Sequence, residues 1–287
     1  MIGLKVVLTQ RDVWSNVTAE WKKRRKNKKR ILQTEAQVKG LFLDYDGTIS
    51  PLNVPRTESL VLPANMTILR RISGLIPVGV ITTKDLSFVV GRTPFACAWS
   101  GLGGLEVKMG RVVTLASCVK KMLPFLNTAL EYTKSLPSEG LVIEEKLDSE
   151  GDVVAFSVDW RQANNKFAAE EKVAEIVSSC DALPIFVVKY DGQPFIDFFP
   201  CPIDKGKALL KLKQKLGLRD GILYMGDSSV DNAAFEVADI GVGVIHQETP
   251  GDLICDCFVK FENVAIFLKG LLENDFRLSP KLPLILA

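Results

Sequence analysis

The stretch "LFLDYDGTIS" (residues 41–50) decides how the chain is read. An apolar run leads to two aspartates, Asp44 and Asp46, one residue apart, followed by Gly47 and Thr48. Carboxylates seldom enter a protein interior unless paired or metal-bound, and two so close repel unless something neutralises them. Taken alone, "DYDG" also fits a strand that simply ends in an Asp-Gly turn. The rest of the chain separates the two readings.

Outward from this stretch, short apolar runs alternate with helical patterns. "PANMTILRRISGL" (63–75) places Ile68, Leu69, Ile72 and Leu75 on one helical face. "PVGVITT" (77–83), "GILYMGD" (221–227) and "DIGVGV" (239–244) read as further buried strands. "SSVDNAAFEVA" (228–238) reads as a helix opened by serine, and "NVAIFLKGLLEN" (263–274) as a closing helix. This alternation predicts an α/β fold with a Rossmann-like parallel sheet covered on both faces. Ligands bind such sheets outside the carboxyl ends of the strands. Asp44, Thr82 and Asp227 each fall there, just after an apolar run.

The middle of the chain has a different rhythm. Residues 116–136 read as a helix with Pro124 as a possible kink site, and "GLVIEEKLD" (140–148) and "DVVAFSVDW" (152–160) as strands. A helix over 165–180 follows, then a hairpin over 185–199 with Asp191-Gly192 at its turn. The expectation is an inserted α+β cap domain at 117–199, interrupting a core formed by 38–116 and 200–287.

Composition sets the remaining bounds. The chain has 287 residues, 47% of them hydrophobic, which suits one large domain or two smaller ones. No apolar run reaches the ~20 residues of a membrane span. The start carries no long apolar segment of a secretory signal, so a cytoplasmic protein without a membrane partner is expected. Six cysteines are scattered and there is one histidine, His246, too few for a Cys/His zinc site. Free thiols are the expectation. Residues 1–37 hold ten Lys and Arg against three Asp and Glu, largely in "WKKRRKNKKR" (21–30). Without interleaved aromatics this reads as a solvated basic arm rather than a nucleic-acid platform.

Four segments, "LFLDYDGTIS", "VGVITTKD", "DKGKAL" and "GDSSVDNAAF", resemble, in that order, the four motifs of the haloacid dehalogenase superfamily of phosphatases. Within it, the chain is most similar to the trehalose-6-phosphate phosphatases and the related mannosyl-3-phosphoglycerate phosphatases. The resemblance implies a haloacid dehalogenase core with a cap, and Mg²⁺-dependent hydrolysis of a small sugar phosphate through an aspartyl-phosphate. Trehalose 6-phosphate is the first candidate and mannosyl-3-phosphoglycerate or another sugar phosphate the alternative. A non-catalytic binding protein on the same fold is the remoter one.

The chemistry gives each residue type its reason. Unaided phosphate-ester hydrolysis is among the slowest of reactions, so a nucleophile, charge neutralisation and a proton for the leaving group are all needed. The resemblance implies Asp44 as nucleophile and Asp46 as general acid and base. Mg²⁺ would take Asp44, the Asp46 carbonyl and Asp227. Thr82 would hold the phosphate and Lys205 balance its charge. Gly47, Thr48, Thr83, Ser228 and Asp231 would surround the phosphate, Asp231 orienting Lys205 or a metal-bound water. The family's sugar-binding positions map onto Glu106, Glu144, Lys146, Trp160, Arg161 and Asp197. The departures are the family's Ser-Gly-Arg, which here is Thr82-Thr83-Lys84, and its GDD, which here is Gly226-Asp227-Ser228. Neither removes a catalytic group, but both bear on substrate identity.

Overall fold

The computed structural model describes residues 37–136, 140–190, 192–247, 252–279 and 282–286. The basic arm lies outside them apart from Gln37, and so does Asp191 of the expected hairpin turn.

The strand β1 (Gly40–Leu43) is buried at every position, as a central strand covered on both faces must be. It lies between β10 (Ile222–Gly226) and β2 (Val78–Ile81), parallel to both. Beyond β10 come β11 (Ile240–Ile245) and β12 (Cys257–Lys260), and beyond β2 comes β3 (Ala98–Gly101), all parallel. β4 (Glu106–Met109) runs antiparallel to β3, with β5 (Val112–Leu115) outside it, and β13 (Ile285–Leu286) runs antiparallel to β12. The nine strands therefore lie in the order β13-β12-β11-β10-β1-β2-β3-β4-β5. The four strands read from the sequence occupy the middle of this order. The outer strands went unread because "AWSG" and "CFVK" are short and mix polar with apolar residues.

Two apolar layers sandwich this sheet. On one side, α1 (Pro63–Ser73) and α7 (Val264–Glu273) pack over Leu41, Leu43, Val80 and Met225. On the other, α5 (Lys205–Lys215) and α6 (Asn232–Val237) cover Phe42, Ile81 and Tyr224. Pro63 starts α1, where its missing N–H costs nothing. Ile68, Leu69 and Ile72 face the core as the periodicity predicts. Leu75 does not: the helix ends before it at Gly74, and Leu75 is exposed. A Cβ on Gly206 would stand 2.3 Å from the Ala233 carbonyl oxygen, so only glycine lets α5 approach the α6 segment this closely.

Among the described residues, 114–203 form one compact unit and 37–113 with 204–286 the other. In the first, β6 (Val142–Leu147), β7 (Val153–Asp159), β9 (Phe195–Phe199) and β8 (Phe186–Lys189) make an antiparallel sheet in that order. The helices α3 (Ser117–Ser135) and α4 (Lys166–Ser179) bury one face of it around Phe156, Val158 and Phe198. Within this unit Cys118 and Cys201 form a disulfide, which corrects the expectation of free thiols throughout. The fold brings the first turn of α3 beside the bend after β9, 83 positions later, a proximity that sequence spacing could not reveal. Cys97, Cys180, Cys255 and Cys257 take part in no disulfide among the described residues.

Candidate active site

The carboxyl ends of β1, β2 and β10 bring the motif residues together within the larger unit. Asp44 directly follows β1, and its amide donates to the Met225 carbonyl oxygen, so strand pairing itself fixes where its side chain starts. Lys205, the first residue of α5, is buried and bridges two carboxylates: Nζ is 2.9 Å from Asp44 Oδ1 and 2.7 Å from Asp231 Oδ1. Tyr224 on β10 donates its hydroxyl to the same Asp231 oxygen at 2.6 Å. Asp231 Oδ2 accepts from the Asp227 and Ser228 amides and from the Ser228 hydroxyl. Ser228 and Asp231 form a capping box, and the expected helix opens with one short turn before α6 begins at Asn232.

Carboxylate oxygens of Asp44, Asp227 and Asp231 lie within 4.8 Å of one another, close enough to hold a metal ion. Their occupations differ. Asp231 has both oxygens engaged by donors, whereas no described group donates to the Asp227 carboxylate within hydrogen-bond distance; the His246 Nε2 lies 3.9 Å away, on an imidazole whose pKa burial lowers. Burial, then the neighbouring Asp44 and Asp231 charges, push the Asp227 carboxyl well above the usual range. Burial likewise raises Asp44 to about 7, against the opposing pull of Lys205. For Lys205 burial works against the charge, but Asp231 and Asp44 outweigh it and hold the ammonium above its ordinary value. Within this group of described residues, the one Lys205 ammonium against three clustered carboxylates is a deficit that an oxygen-loving divalent ion would fill.

The loop 44–50 folds tightly over this group. Gly47 has φ +73°, and a Cβ there would sit 2.0 Å from Asp227 Oδ2, so glycine is required on both counts. Its carbonyl oxygen is 2.9 Å from His246 Nε2, and the His246 ring stacks on Phe261. Since a carbonyl only accepts, this contact calls for the Nε2–H tautomer. Thr48 is buried, and its hydroxyl has no hydrogen-bond partner among the described residues. Asp46 is turned outward and partly exposed: Ser59 Oγ donates to Oδ1 at 2.8 Å, and Lys84 Nζ is 3.8 Å from Oδ2. Thr82 is buried at the end of β2 and accepts the Lys84 amide; the cap of the following helix, α2 (Leu86–Arg92), is Asp85 instead. Thr83 is half-buried beside it.

Tyr224, His246, Lys84 and Ser59 were not foreseen. Tyr224 left a signal, because a tyrosine in a buried strand needs a partner for its hydroxyl, and Lys84 stands at the Arg of the family's Ser-Gly-Arg. The others reach the site only through loop folding.

The remaining expected residues divide between the two units. Glu106 is fully buried at the start of β4. In the unit 114–203, Glu144, Ser157 and Asp197 stand in one row across β6, β7 and β9, with Lys146 two residues along on the same face. Lys146 Nζ is 2.8 Å from Asp197 Oδ1, both buried, and Ser157 and Tyr190 also donate to Asp197. Burial disfavours the Asp197 charge, yet Lys146 and these hydroxyls lower its pKa below the ordinary carboxylate range. Trp160, one of the expected sugar-binding positions, is packed among apolar neighbours at 8% exposure. Arg161 pairs with Asp159.

No family model matches the sequence. The chain is 25% identical over 232 residues to a probable trehalose-phosphate phosphatase 4 of Oryza sativa subsp. japonica, covering 74% of this chain and 59% of that protein. It is 25% identical over 230 residues to the trehalose-phosphate phosphatase of Mycobacterium bovis, covering 75% and 55%. The chain thus spans between half and two thirds of the length of these relatives. Among solved structures, the C-terminal domain of C. albicans trehalose-6-phosphate phosphatase superposes with a TM-score of 0.67 at 18% identity, covering 86% of this chain and 97% of that one. A haloacid dehalogenase-like hydrolase from Bacteroides thetaiotaomicron gives 0.60 at 15%, covering 82% and 100%. The fold is that of the haloacid dehalogenase superfamily. The resemblance read from the four motifs is thereby borne out, and with it the α/β class.

Proposed function

We propose that this chain is a Mg²⁺-dependent phosphatase of small sugar phosphates, trehalose 6-phosphate being the first candidate. The observation that carries this reading is the buried Asp44–Lys205–Asp231 bridge beside the undonated Asp227 carboxylate. A carboxylate nucleophile must approach an anionic phosphoryl group, and this constellation pairs it with a fixed cation. The names of the sequence relatives support the substrate class.

In this reading Asp44 attacks phosphorus and the bond to the sugar oxygen breaks. Asp46 gives that oxygen its proton, then takes one from the water that releases phosphate and restores Asp44. Lys205 stabilises the negative charge, and Asp231 with Tyr224 holds Lys205 in place. Thr82, Thr83, Gly47 and Thr48 line the phosphate position, the unpartnered Thr48 hydroxyl being available to it. Asp44, Asp227 and the Asp46 carbonyl would hold Mg²⁺, which when bound neutralises the carboxylates and the phosphoryl oxygens. Ser228, where the trehalose-6-phosphate phosphatase motif has a second Asp, favours mannosyl-3-phosphoglycerate or a related ester as the second reading.

The test is phosphate release across a panel of sugar phosphates with Mg²⁺. Asp44→Asn is expected to abolish turnover while the protein stays folded, because an amide is a poor nucleophile. Near-normal activity of that variant would remove the covalent mechanism.

A further inference from the structure

We infer that Ser59 is a positioning residue for Asp46, setting which carboxyl oxygen of the general acid faces the leaving group. The inference rests on the phosphatase reading above and goes beyond it, since nothing in the motifs reaches residue 59.

Ser59 lies outside the motif loop, in the segment that joins β1 to α1, and is 1% exposed. Four contacts fix it. Its amide donates to the Pro55 carbonyl oxygen at 3.0 Å. Its own carbonyl oxygen accepts the buried Tyr45 hydroxyl at 2.8 Å. Its Oγ lies 2.9 Å from Ser50 Oγ and 2.8 Å from Asp46 Oδ1. The direction of these bonds follows from chemistry. With the transferable proton on Oδ2, Oδ1 can only accept, so Ser59 gives its single proton to Asp46 and accepts the Ser50 proton in turn. Burial leaves Ser59 no water to turn to, and an unmet hydroxyl in such a place is costly.

The consequence is a division of labour between the two Asp46 oxygens. Oδ1 is committed to Ser59, leaving Oδ2, which faces Lys84 at 3.8 Å, to carry the transferable proton. When the phosphorus–oxygen bond breaks, the electron pair goes to the leaving oxygen. That oxygen takes the proton from Oδ2, and Asp46 becomes a carboxylate still held by Ser59. Without Ser59 the carboxyl loses its Oδ1 anchor, and the fraction of encounters with a proton in line falls.

This role has a signature that a purely structural one lacks. A sugar alkoxide needs a proton to leave, whereas p-nitrophenolate leaves well without one. kcat/KM covers the steps through phosphoryl transfer to Asp44, so it isolates the step at which Asp46 is an acid. Ser59→Ala is expected to lower kcat/KM about tenfold on the best sugar phosphate, part of the ~10²–10⁴-fold range of a general acid. On p-nitrophenyl phosphate the loss should be less than about twofold. The ratio of the two substrates is independent of how much enzyme is folded. Should Ser59→Ala yield no soluble protein, Ser59→Cys, with its weaker donor, is measured in the same way. An unchanged ratio in the variant obtained overturns the inference. Asp46→Asn, measured alongside, must shift the ratio in the same direction. If the wild type hydrolyses neither ester, the phosphatase reading itself fails; if it does and only the Ser59 ratio is flat, the inference alone falls.

Discussion

Asp44, Asp227 and Asp231 show how three like residues take different parts according to what surrounds them. Asp231 has five donors at hydrogen-bond or ion-pair distance and serves as an anchor for Lys205 and for the turn before α6. Asp44 shares Lys205, and Asp227 has no comparable partner. The least compensated carboxylate is the one that gains most from a divalent cation. Asp227→Ala is therefore expected to raise the Mg²⁺ concentration for half-maximal phosphatase activity at least tenfold, or to abolish activity. A Mg²⁺ titration of phosphate release measures this, and an unchanged midpoint would remove Asp227 from the metal site. All four motifs could be read from sequence because each lies directly at a strand end or helix start. His246 could not, since a single histidine carries no pattern.

At the scale of elements, the sheet of the unit 114–203 has one apolar face under α3 and α4 and one polar face carrying Glu144, Ser157, Asp197 and Lys146. Alternation along the strands made that division legible. The pairing of Lys146 with Asp197 was not, because it needs the register of three strands at once. A buried ion pair adds little over a well-packed apolar pair, but removing one partner strands the other. Lys146→Met should accordingly destabilise the protein by about 3–5 kcal/mol, as measured by urea unfolding. Asp197 would keep its Ser157 and Tyr190 donors, which favours the lower end. A change below about 1 kcal/mol would show that the pair is not desolvated. Any assay of Lys146 as a sugar ligand has to be read against this loss.

For the whole molecule, the crowded carboxylates tie stability to pH and to metal. Asp44 is raised to about 7 and Asp227 is also raised, against an ordinary value of 3.8 in the unfolded chain. The folded state thus holds protons that the unfolded chain releases, so this contribution is complete below about pH 4 and is lost as pH rises through about 7. In a chelator, the melting temperature should fall as pH is raised from about 5 to about 8, and Mg²⁺ should restore it most at the upper end. Thermal melts with and without Mg²⁺ across that range decide the point. A flat chelated profile would mean that the carboxylates are not buried together.

Sequence by itself determined the parallel α/β core, the inserted strands and helices, and the candidate catalytic residues. Those features are local: buried strands are continuous apolar runs, helices repeat every 3.6 residues, and strand-end carboxylates stand next to their runs. Only the tertiary structure decided the Cys118–Cys201 bond, the Lys146–Asp197 pair, the burial of Trp160 and the hold of Ser59 on Asp46. Each of these joins positions whose proximity depends on how loops and strands are folded together, and sequence separation does not encode that distance.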